Sequence, residues 1–165
     1  MGRSIRRSRR HEHAHRATST AAVAGIVAAF GLAELAYSHH SFAMYDTRIT
    51  RTFTGRLLQL IPGANHAQIL FEVLDADGQV SLDESGQPVR WGVETGPAAQ
   101  IARQGVTMDT FPPGTIINVN LNPLRDGRNF GSLARDGGRL INCGDALPDG
   151  GCTEATGTVY LEGEN

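Results

Sequence analysis

Residues 89–105 read VRWGVETGPAAQIARQG, and the change of rhythm inside that stretch decides the fold. Val89, Trp91 and Val93 alternate with Arg90, Gly92 and Glu94, the period of two expected of a strand with one buried face. At Thr95-Gly96-Pro97 the alternation stops. Thr95 or Gly96 is placed to cap a helix. Pro97 suits its first turn, where a missing N–H would go unbonded anyway, and Gly105 ends the run Ala98–Gln104. No other good helix signal follows residue 38.

Working outward, two strands are expected upstream of residue 89. Ile49–Leu60 sets Ile49, Phe53 and Leu57 against Thr50, Thr52, Thr54 and Arg56, and Gly55 is expected to mark a bulge or bend. His66–Leu74 is sharper. Ala67, Ile69, Phe71 and Val73 form one face, while His66, Gln68, Leu70 and Glu72 form the other. Pro62-Gly63-Ala64-Asn65 turns the chain between them. Downstream, Thr115–Leu121 forms a fourth strand and Asn129–Ala134 a fifth, with continuation through Arg139–Ile141 left open. A short strand is also expected at Thr156–Leu161. The order of three strands, a helix and two strands predicts a mainly β domain. Its architecture is a small five-stranded OB-like Greek-key barrel with one short helix between strands 3 and 4.

The first 38 residues have a different character. Six of the 15 basic residues, all arginine, fall within Met1–Arg16, and the apolar run Ala21–Ala33 follows a polar joint. That run suits the apolar centre of a signal peptide and is shorter than the roughly 18 residues of a spanning helix. Ala36 and Ser38 are small residues at the −3 and −1 positions, predicting cleavage between Ser38 and His39. An uncleaved anchor is the alternative; Glu34 and the alanine-rich run argue against it. Ser8-Arg9-Arg10 leaves the general and twin-arginine export routes both open. The expected organisation is a signal peptide over 1–38, a barrel domain over 39–141 and a C-terminal tail over 142–165. The protein is expected to be periplasmic and, once cleaved, not integral to the membrane. Cys143 and Cys152, close together in an exported chain, are expected to form a disulfide in that tail.

From His39 onward, nine arginines face 15 acidic residues. An acidic domain without a basic stripe is unsuited to nucleic-acid backbones, so no nucleic-acid partner is expected. No nucleophile elbow, P-loop or dinucleotide fingerprint is present, which argues against an enzyme. Glu72 with Glu94 could suggest a carboxylate pair for hydrolysis, but carboxylates on outward strand faces are usually solvated. Asp75 and Asp77 resemble the start of a calcium loop. The remaining ligand positions are missing, so ordinary turn chemistry is the better account.

The segments HHSFAMYD from His39, TFTGRLLQLIPGANHAQILFEV from Thr52, VRWGVETGPAAQIARQGVT from Val89 and PLRDGRNFGS from Pro123 together resemble a family of bacterial exported proteins. That family is known only as a domain of unknown function, numbered 6152. Its pattern is a signal peptide followed by His-His-Ser-Phe, a His-bearing turn and a Trp-x-x-Glu strand. His39, His40, Ser41 and Phe42 match the opening, His66 the turn, and Trp91 and Glu94 the strand. This chain departs from the pattern at Ile61–His66 and in the cysteine-bearing tail. The resemblance covers roughly 39–141 and brings no established activity.

The candidate chemistry is metal binding. With cleavage before His39, its amine and ring nitrogen can share one metal, and His40 or His66 can add another imidazole. Such a nitrogen-rich set favours Cu(II), with Zn(II) as the second choice. Glu94, Asp46 or Glu72 is placed to supply an oxygen. The plainer account makes His39 and His40 a polar terminus and His66 a turn residue. Two function classes therefore stand. One is a non-enzymatic copper-binding module on His39, His40, His66 and Glu94. The other is a cell-envelope adaptor whose barrel binds a protein or glycan without metal.

Overall fold

The computed structural model describes residues 42–162. A 3-10 turn at Phe42–Met44 is followed by β1 (Arg51–Ile61), β2 (Gln68–Val73) and β3 (Arg90–Glu94). Then come α1 (Ala98–Arg103), β4 (Ile116–Pro123), β5 (Phe130–Leu133), β6 (Arg139–Asn142) and β7 (Thr158–Glu162). β1 pairs with β2 and β2 with β3, both antiparallel. β3 runs parallel to β5, β5 pairs antiparallel with β4, and β4 returns antiparallel to β1. That last ladder closes a five-stranded barrel with a short α-helix between β3 and β4, the OB-like topology expected.

The alternation sorts the side chains as expected. Ile69 and Phe71 of β2, Trp91 and Val93 of β3, and Ile117, Val119 and Leu121 of β4 all enter one buried cluster. Their alternates Gln68, Leu70, Glu72, Arg90, Gly92 and Glu94 form the opposite face of β2 and β3. Ile101 of α1 is also buried in the cluster and Ala98 packs against it, so the helix is held by these two residues. The helix cap differs from expectation: Pro97 occupies that position, and no side chain bonds the first turn. The Thr95 hydroxyl instead donates to the Ala67 carbonyl, joining the end of β3 to the start of β2. Gly105, at φ +90°, ends the helix in the left-handed region that glycine tolerates.

Gly55 has a role other than the one expected. The register of β1 against β2 slips between Leu57 and Gln59, not at Gly55. A Cβ on Gly55 would run into the Phe71 ring and come within 2.7 Å of the Glu72 carbonyl oxygen. Gly55 thus admits a buried ring between paired strands.

β5 and β6 follow the same edge of β4 in succession. Leu133 pairs with Leu121, the Ala134 N–H donates to the Asn120 carbonyl, and the ladder resumes with Leu140 beside Val119. The Asp136-Gly137-Gly138 turn is looped out between them, so the continuation left open in the sequence is one strand line with an excursion. β7 pairs antiparallel with β6.

Cys143 and Cys152 are disulfide-bonded. Cys152 is buried with Leu74, Ile116 and Ile141 in a second cluster, flanked by Val80, Leu147 and Val159. The bridge therefore does more than tether a tail: it closes a small core that shares β4 with the barrel. Among the described residues no helix is long and apolar enough to cross a membrane.

Candidate functional site

His66 lies in the loop between β1 and β2, and Glu94 ends β3. Pairing of Gln68 with Glu94 brings the two ends together. His66 Nδ1 lies 3.2 Å from the Thr95 carbonyl oxygen and 3.4 Å from Glu94 Oε1. Both neighbours are acceptors, so Nδ1 is the nitrogen that carries a proton in the neutral ring. Nε2 then holds the lone pair, which is the form of imidazole that binds a metal. The ring is about half exposed, with 42 % of the His66 side chain open to solvent.

Glu94 also has a buried neighbour. Tyr45 is 1 % exposed and lines the same cleft as Glu94. Burial first, then the adjacent carboxylate, push the Tyr45 phenol well above its ordinary range. The segment bearing Tyr45 is fastened to the β4–β5 turn. Arg125 donates its N–H to the Met44 carbonyl and its Nε to the Tyr45 carbonyl, and Asp46 N–H donates to the Pro123 carbonyl.

A cleft of about 320 Å³ opens beside this pair, lined by Tyr45, Gln68, Glu94, Arg128, Asn129 and Phe130, with Met44 and Leu124. Gly92 pairs with Phe130, and a Cβ on Gly92 would lie 2.5 Å from the Phe130 ring. Bare backbone at Gly92 is what allows the ring to settle there.

The other oxygen donors considered are engaged. Asp46 holds Arg48 through two bonds of 2.9 Å, which draws its carboxyl down to about 2. Glu72 accepts from Arg90 at 3.1 and 3.2 Å. Asp75 accepts the N–H groups of Asp77 and Gln79, and Asp83 repeats the pattern with Ser85 and Gln87, so these are turn carboxylates. Trp91 faces inward against Phe53, their ring centroids 4.6 Å apart. His39 and His40 lie outside the described residues. Among the described residues no cluster of three metal-ligating side chains forms.

The sequence reading named His66 and Glu94 but missed Tyr45, Asn129 and Phe130 as their neighbours. Only strand register places Phe130 beside Gly92, and no local pattern announces that pairing.

A family model matches residues 26–134, taking in the barrel through β5. The chain belongs to the family of unknown function DUF6152. The match stops short of β6 and β7, so the disulfide-bearing extension lies beyond the region shared with DUF6152. Neither a curated protein nor a solved structure matches the chain.

Proposed function

We propose that this DUF6152 member is an exported, non-enzymatic binding module that takes up Cu(II) through His66, His39 and His40. The observation that carries the reading is the His66 ring: Nδ1 faces the Thr95 carbonyl and Glu94, leaving Nε2 as the donor. Glu94 sits on the protonated side of that ring, where a carboxylate orients a ligand rather than binding the metal itself. The chosen donors are imidazoles and a terminal amine, a set that ranks Cu(II) above Zn(II). Export to the periplasm, with cleavage after Ser38, supplies the amine.

Copper titration of three proteins tests the reading: the chain starting at His39, the same chain with one alanine added before His39, and His66→Ala. The added alanine and His66→Ala should each weaken binding by about tenfold or more. Equal affinity in all three overturns the site. Amino-terminal sequencing of periplasmic material tests export separately and should begin at His39.

A further inference from the structure

We infer that the cleft between Tyr45 and Phe130 is a saccharide subsite, built to hold one pyranose ring independently of any metal. Across the outer face of β2, β3 and β5 the register sets Gln68 beside Glu94 and Glu94 beside Ser132, with Leu70, Gly92 and Phe130 in the neighbouring row. A row of polar groups thus runs alongside an apolar row ending in an aromatic ring. A pyranose needs that pairing, because its hydroxyls lie around the rim and its C–H groups make an apolar face.

The polar row is organised in advance. Buried Tyr45 and His66 Nδ1, 3.4 Å from Oε1, flank the Glu94 carboxylate, whose remaining lone pairs can accept from sugar hydroxyls. The Gln68 and Asn129 side chains line the same cleft and offer both donors and acceptors. A volume of about 320 Å³ sits at the small end of ligand sites and suits a single ring with some water.

Other occupants fit less well. Phosphate-bearing ligands meet the Glu94 carboxylate, and the rim cation Arg128 is already paired with Asp126 at 2.8 Å. An extended peptide adding to the sheet finds no open edge here, because β2, β3 and β5 each have neighbours on both sides within the closed barrel.

The test is calorimetric titration with the neutral trisaccharide of N-acetylglucosamine, with a chelator present to remove copper. Saturable binding is expected. Phe130→Ala and Gln68→Ala should each weaken it about tenfold. Backbone NMR shifts on titration should centre on Gln68, Glu94 and Asn129, a readout that stands even if Phe130→Ala does not fold. Absence of saturation, shifts centred elsewhere, or unchanged affinity in a folded Phe130→Ala overturns the subsite. Because copper is chelated here, failure of this experiment leaves the copper reading intact, and the reverse also holds.

Discussion

Tyr45, sealed against the barrel, shares a cleft with the carboxylate of Glu94, a residue 49 positions further along the chain. A buried hydroxyl that donates to a charged acceptor contributes about 1.5–3 kcal/mol. Tyr45→Phe should lose stability by up to that amount, read as a lower urea midpoint with unchanged slope. The phenol is held above its ordinary value in the folded state, so its contribution is present below about pH 10 and fades as the unfolded chain ionises above that. The alkaline fall in stability should be shallower in Tyr45→Phe than in wild type.

Asp46 works at the other end of the pH scale. Its carboxyl is drawn down to about 2, chiefly by the Arg48 side chain. A depressed carboxyl stabilises the fold above its ordinary pKa and loses that contribution as pH falls from about 4 to about 2. Urea unfolding across that window should show a flatter acid limb for Asp46→Asn than for wild type.

Replacing both cysteines by serine should cost about 2–3 kcal/mol through loop entropy, for a bridge spanning nine positions. Because Cys152 is buried against Ile116 and Leu74, some packing should be lost as well. Hydrogen exchange should report the difference by region: β6 and β7 lose protection first, while β1–β3 keep theirs.

Two glycines each make room for an aromatic ring, one fixed and one freer to move. Gly55→Ala forces a methyl against a fully buried ring and a backbone carbonyl, so it should cost about 3 kcal/mol. Gly92→Ala meets the half-buried Phe130 ring, which can swing outward, so it should cost less, about 1 kcal/mol. Equal melting temperatures for the two variants would contradict this account.

The strands were legible because burial on one face writes itself as alternation: Ala67, Ile69 and Phe71 could be read as a core face without seeing what they touch. The helix was legible from Pro97 and Gly105. Long-range consequences of pairing were not. Gly55 looked like a bulge because sequence shows a missing side chain, whereas the reason lies in Phe71, a residue of the next strand. The site was half visible for the same cause. His66 and Glu94 carry conspicuous chemistry, but Tyr45 and Phe130 look like ordinary core aromatics until register brings them alongside. Cys143 and Cys152 announced their bond by spacing, though not the small core it seals.

Barrel closure also sets an order of events. The ladder that shuts the wall joins Arg51–Arg56 to Ile116–Leu121, across most of the domain. A chain appearing amino end first can assemble β1, β2 and β3 as a local meander, but β1 keeps one bare flank until β4 has emerged. Such distant pairings are entropically late, and they slow folding. Any truncation before residue 116 should therefore behave as an unfinished sheet with a sticky margin rather than as a smaller stable domain.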